Sequence, residues 1–210
     1  LSPEKIDFAV RRAVSEGRQL LAHCNGDAAA DEFISSAERA AAKGADISAL
    51  RFVIIHGFML TAELMERASR LGMMVSFFPE HIERFSDVHI ANLGIERAGS
   101  MAPAATAIKK GLRCTFHTDA PVTPPDLMRA VFCACARLGK NNSVIGADER
   151  ISVEEAFAGI CENAAFQYFQ EGLKGTVSPG ALSRFAVLDR NPFTCSQSEI
   201  PDIKVSYADA

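Results

Sequence analysis

Apolar side chains along this chain fall into two kinds of pattern. Short uninterrupted apolar runs alternate with longer stretches in which apolar positions recur every three or four residues. The runs are Gln19–His23, Phe52–His56, Met74–Phe78 and Arg113–Phe116. Each reads as a strand, because it is short, apolar and bounded by polar or turn-forming residues. The stretches between them read as helices. Ser2-Pro3 opens the first, which carries Ile6, Val10, Ala13 and Val14 and closes at Gly17. Ala30, Phe33, Ala37 and Ala40 share one face of the second, stopped by Gly44. Thr61 caps a third with Leu64, Ala68 and Leu71, ended by Gly72. A short helix over 87–93 and another over about 103–110, closed by Gly111, precede the last of the four runs. Pro124-Pro125 then launch a helix with Leu127, Val131, Ala134 and Leu138, ended by Gly139.

Four strand–loop–helix units in succession predict an α/β fold with a parallel sheet or barrel. The strands are apolar throughout rather than alternating, as expected where helices cover both faces. Ser152-Val153-Glu154-Glu155 is a capping box opening a helix to Ile160, and a second helix follows over about 163–172. The tail differs. Lys174–Gly180 is rich in turn formers, and Phe185–Asp189 and Lys204–Tyr207 are strand-like with no helix between them, which predicts a small accessory β element.

Composition narrows the class. The 210 residues are 48% apolar and 23% charged, with a net charge of −4 and no run of more than two Lys or Arg. That balance argues against a nucleic-acid or anionic-membrane partner. No apolar run approaches the ~18 residues of a membrane span, and no signal peptide precedes the first helix, so a cytoplasmic protein is expected. The six cysteines show no CxxC pairing and sit mostly among apolar neighbours, which predicts buried, reduced thiols. Because the chain starts at Leu1 within a turn of its first helix and stops after a strand, it is expected to be a fragment.

Candidate chemistry lies at strand ends. His23, His56 and Asp119 each follow a predicted strand, and the strand ends of a parallel sheet share one side. Two imidazoles and a carboxylate suit Zn²⁺ or another borderline divalent ion. Such an ion lowers the pKa of water to about 7, and Asp119 could then act as ligand and proton shuttle. Spacing alone leaves a second reading open beside this one, in which the histidines are structural and Asp119 is a cap. A nucleotide-binding domain has little support, since neither GxGxxG nor GxxxxGK[ST] occurs.

Three segments carry a resemblance. His23-Cys24-Asn25-Gly26-Asp27-Ala28-Ala29-Ala30-Asp31, Arg51–His56 and His117-Thr118-Asp119-Ala120-Pro121-Val122 come in the order of amidohydrolase superfamily motifs. The chain is most similar to the family 3 branch, which includes N-substituted formamide deformylases and proteins called exoenzyme regulatory protein. Lys174–Leu182 and Val187–Pro192 resemble the return of those proteins to a small β domain. The resemblance implies a TIM (β/α)₈ barrel with one or two metal ions, of which this chain is the C-terminal half. Its strands would be 5–8, with residues 1–173 as partial barrel and 174–210 as return segment. It places His23 on strand 5, His56 on strand 6 and Asp119 on strand 8, with His23, His56 and Asp119 as metal ligands, Zn as the metal, and Asp119 as catalytic shuttle. It implies hydrolysis of a small-molecule amide or other non-peptide C–N bond, with a non-catalytic binding or regulatory protein as the alternative.

His81, on the same rim, is expected to contact substrate. His117 is expected to support the metal site or substrate, and Arg84 to meet an anionic substrate group. Two departures matter. No His-x-His occurs, and the usual Lys and Ala-Asp before the last strand are missing. With strands 1 and 4 outside the chain, weak metal binding is expected. Open sheet edges predict self-association, and the family resemblance a homo-oligomer.

Overall fold

The computed structural model describes residues 1–209; Ala210, the last position of the expected return segment, lies outside them. The described residues divide into two compact units, one of Leu1–Phe77 with Met101–Cys114, the other of Phe78–Ser100 with the chain from Thr115 onward.

In the first unit, α1 (Pro3–Ser15), α2 (Asp27–Ala41), α3 (Ile47–Leu50), α4 (Ala62–Arg70) and α7 (Ala104–Lys109) surround β1 (Leu21–Cys24), β2 (Val53–His56) and β3 (Met74–Phe77). β1 pairs with β2 and β2 with β3, both in parallel, with Leu21 opposite Val53 and Val53 opposite Met74. β4 (Arg113–Phe116) follows β3 in the order β1-β2-β3-β4. β2 and β3 are nearly all buried, as their unbroken apolar runs predict. β1 is not. Leu21 is 45% exposed, because β1 lies at the edge of the sheet. Phe33 of α2 stacks on Phe52 at 5.9 Å between ring centroids, and both are fully buried. Each such ring is worth about 1.5–3 kcal/mol relative to exposure.

Polar contacts set where helices begin and how they sit. Thr61 Oγ1 accepts from the Leu64 amide at 3.3 Å and starts α4. Thr61→Ala should therefore cost about 1 kcal/mol in urea unfolding, whereas Thr61→Ser should cost little. Asp46 caps α3, a turn that apolar periodicity is too short to reveal. Arg67 of α4 donates to both carboxylate oxygens of Glu38 on α2, at 3.0 and 2.7 Å, and to Asp31 at 2.6 Å. The guanidinium holds the Glu38 carboxyl below the usual range.

In the second unit, α5 (Glu80–Leu93) starts at Glu80 rather than near residue 87, so it is twice the predicted helix. α6 (Ile95–Gly99) follows at once. α8 (Leu127–Ala136) is started by Asp126, whose carboxylate accepts from the Arg129 amide, and not by Pro124-Pro125. It ends at Arg137, in the left-handed conformation, before Leu138 and Gly139. α9 (Val153–Ile160) carries the predicted capping box intact, Ser152 to Glu155 at 3.1 Å and back at 2.8 Å. α10 (Glu162–Gln167) stops five residues earlier than predicted. The tail forms β5 (Ala186–Leu188) and β6 (Val205–Ala208), antiparallel, with Val187 opposite Tyr207.

Cys24, Cys114, Cys133 and Cys135 are buried and in no disulfide, whereas Cys161 is exposed. Burial pushes the Cys24 thiol up to about 11 and that of Cys135 to about 12. No helix among the described residues is long and apolar enough to cross a membrane.

Candidate metal centre

The end of β2 departs from ordinary backbone. His56 has φ +71° and Gly57 φ +54°, so the chain turns out of the strand through two left-handed residues. A side chain at residue 57 would meet Val75 Cγ2 at 2.6 Å, so glycine is required there by space as well as by φ. The turn is fixed by the Gly57 amide donating to Cys24 O at 3.1 Å. His56 is 7% exposed and lies edge to face against the exposed ring of His23, 4.6 Å between centroids.

The end of β4 shows the same departure. Thr115 Oγ1 donates to Gln167 Oε1 at 2.8 Å, a buried pair that holds this strand to α10. His117 is half-buried and stacks on Phe78 at 5.8 Å and 25°. Asp119 has φ +53°, and its carbonyl accepts from the Val122 amide at 2.8 Å, closing a turn. A left-handed histidine or aspartate stores roughly 1–3 kcal/mol of strain, and such residues gather where geometry serves a ligand.

The neighbouring helix adds groups that the sequence pattern does not mark. Glu80, in the first turn of α5, has a side chain only 1% exposed. It meets Thr123 Oγ1 at 3.2 Å and Arg84 Nε at 3.8 Å. Burial pushes its carboxyl above the ordinary value, against the opposing effects of Thr123 and Arg84. No periodicity signal marks Glu80, since a glutamate in a helix's first turn usually faces water. His81 lies T-shaped against Phe78 at 5.4 Å, and its Nδ1 is 3.2 Å from His89 Nε2. His89 is partly buried, and that burial holds its imidazole below the ordinary value. Arg84 remains substantially exposed on α5.

Among the described residues, one group of His, Cys, Asp or Glu has the spacing to hold a metal ion. It is His56, His117 and Asp119, whose donor atoms all lie within 4.8 Å of one another. Two imidazole nitrogens and a carboxylate oxygen fit a borderline divalent ion. Of the expected ligands, His56 and Asp119 are in the group. His23 lies beside His56 but is not in it, and His117, expected in a supporting role, is.

Known proteins share this pattern of sequence and fold. A family model described as "Amidohydrolase family" matches residues 1–208. The chain is 26% identical over 200 residues to YtcJ of Bacillus subtilis (strain 168), covering 94% of this chain and 37% of that protein. It is 23% identical over 206 residues to N-substituted formamide deformylase of Arthrobacter pascens, covering 97% and 38%. An uncharacterized metal-dependent hydrolase from Pyrococcus furiosus superposes with a TM-score of 0.75 at 26% identity, covering 92% of this chain and 38% of that one. The chain thus spans little more than a third of the length of each.

Proposed function

The chain belongs to the amidohydrolase family, and from that premise we propose that it is the C-terminal part of a metal-dependent hydrolase of amide or other non-peptide C–N bonds. In this reading β1 to β4 are strands 5–8 of a (β/α)₈ barrel, and the segment from residue 174 returns to a small β domain. The location is cytoplasmic and the substrate a small molecule. The observation that carries the reading is the group His56, His117 and Asp119, with donor atoms within 4.8 Å of one another. The named activity of the Arthrobacter relative, N-substituted formamide deformylation, supports an amide-type substrate.

The imidazoles of His56 and His117 and a carboxylate oxygen of Asp119 would hold a divalent ion, with Zn²⁺ the natural choice for two nitrogens and an oxygen. When bound, the ion supplies the positive charge that brings water toward hydroxide near neutral pH. The free oxygen of Asp119 takes the proton of the attacking water and returns it to the leaving nitrogen. His81 contacts substrate in this reading; its Nδ1 lies 3.2 Å from His89 Nε2 and its ring is T-shaped against Phe78. In the same reading Arg84, substantially exposed beside Glu80, meets an anionic substrate group.

The reading is tested by titrating the chain with Zn²⁺ and Co²⁺ and assaying N-formyl and simple amides with the metal present. Binding of metal with release of amine supports it. Absence of both favours a binding or regulatory protein that keeps the fold without the chemistry. The same titration on His23→Ala and His117→Ala separates the two histidines. His117→Ala is expected to lose at least about tenfold more affinity than His23→Ala, because outer partners cost less than ligands. The reverse order would restore His23 as the ligand.

A further inference from the structure

Glu80 is the only buried carboxylic acid among the described residues, and the reaction proposed above gives it nothing to do. Its surroundings are specific. Thr123 is 1% exposed, and its hydroxyl oxygen lies 2.5 Å from Thr118 O and 3.2 Å from Glu80 Oε1. A threonine hydroxyl carries one proton. The short contact to the Thr118 carbonyl can be satisfied only by that proton, because a carbonyl oxygen accepts and never donates. The contact between Thr123 Oγ1 and Glu80 then needs a proton from Glu80. A neutral carboxyl supplies it, giving a chain that runs from Glu80 to Thr123 to Thr118 O.

The charged and titratable groups around Glu80 are Arg84 on its own helix, 3.8 Å away, with Glu83 and, ahead of α8, Asp126. Burial, the largest influence, and the two acids favour the neutral form, whereas Thr123 and Arg84 favour the ionised one. The anchored carbonyl is not an arbitrary one. Thr118 lies between His117 and Asp119, so its peptide plane sets the direction of both side chains. Asp119 also sits at φ +53°, a conformation that needs tertiary support to persist.

We propose that Glu80, as a neutral acid donating through Thr123 to Thr118 O, is a positioning residue that holds His117 and Asp119 in ligand geometry. The role of those two residues rests on the metal reading above, but the brace itself does not. Co²⁺ affinity and amide hydrogen exchange at Val122, whose N–H is bonded to Asp119 O, are measured on four proteins. They are the unaltered chain, Glu80→Leu, Glu80→Gln and Thr123→Val, each checked for native circular dichroism.

Glu80→Leu and Thr123→Val are expected to bind Co²⁺ about ten- to a hundredfold more weakly, the usual loss when an outer partner goes, and to exchange faster at Val122. Glu80→Gln, whose amide still donates to Thr123, should stay near the unaltered chain in both. A merely structural role would make Gln as harmful as Leu. If Glu80→Gln falls with Glu80→Leu, or Val122 exchange is unmoved in Thr123→Val, the inference is overturned. If the unaltered chain takes up no Co²⁺, the metal reading fails, and the exchange comparison alone decides the brace. Should Glu80→Leu fail to fold, Thr123→Val against Thr123→Ser, which keeps the hydroxyl, decides in its place: faster exchange in the valine variant alone supports the brace, and equal exchange in both overturns it.

Discussion

Replacing Asp119 by alanine is expected to weaken Co²⁺ or Zn²⁺ binding by more than about a hundredfold, beyond the ten- to hundredfold that an outer partner is worth. Asp119 is the only anionic donor in the group His56, His117 and Asp119. Without it a dication would face two neutral imidazoles, with its charge uncompensated. The residue also sits at φ +53°, where alanine is strained and asparagine is tolerated. Asp119→Asn therefore separates the two effects. It keeps the backbone and one oxygen donor but removes the charge and the proton acceptor. It should bind metal at an intermediate level and hydrolyse no amide. Calorimetric titration of the three proteins checks this, and equal metal content in the alanine variant would remove Asp119 from the site.

The largest expected effect on stability lies away from the metal group, within the second unit. Arg137 is 1% exposed, and its guanidinium donates to Ile145 O at 2.8 Å and Gly99 O at 3.1 Å. Burial, with Glu149 opposing it, pulls the group down to about 10. Methionine there would fill most of the volume but leave two buried carbonyls without these donors, at about 1–3 kcal/mol each. Relief from burying a charge offsets part of this. A net loss of about 3 kcal/mol is expected for Arg137→Met, or roughly 6–12 °C in melting temperature for a domain of this size. Lysine should not rescue it, since one ammonium cannot reproduce a planar fork between two carbonyls. Gly146→Ala tests the same junction from the other side. A Cβ there would lie 1.8 Å from Gly99 O, at φ +68°, so backbone must move. It should melt at least as low as Arg137→Met. A melting point within about 2 °C of the unaltered chain in both variants, under 1 kcal/mol by the same scaling, would show that the junction bears no stability.

Much of the fold was legible because its signals are local. β2 and β3 are short, mostly apolar runs, and the Ser152 capping box forms as the four-residue pattern requires. Glycines at 17, 44, 72 and 111 have positive φ at helix ends, where an L side chain is disfavoured. Errors came mostly where distant groups decide. α5 starts after Pro79 with its first residue, Glu80, buried against Thr123, more than forty positions away; the start of α8 was missed for a local reason, because Asp126 and not the prolines before it caps the helix. Leu21 is exposed because β1 is an edge strand, a property of strand order that no apolar run reveals.

The candidate site divides in the same way. Residue type and strand-end position were enough to single out His56 and Asp119, because a polar residue closing an apolar run is written in the chain itself. The family followed from motifs spread along its length, and residues 1–208 match that family's model. Which third side chain joins those two was decided by tertiary structure. The sequence favours His23 as the ligand and gives His117 a supporting part. The tertiary structure instead brings His117 within reach of His56 and Asp119, with its ring stacked on Phe78 and the next carbonyl, Thr118 O, bonded to Thr123. Side-chain direction at a strand end depends on one or two dihedral angles, and the groups packed around this one include a residue as far away in sequence as Phe78.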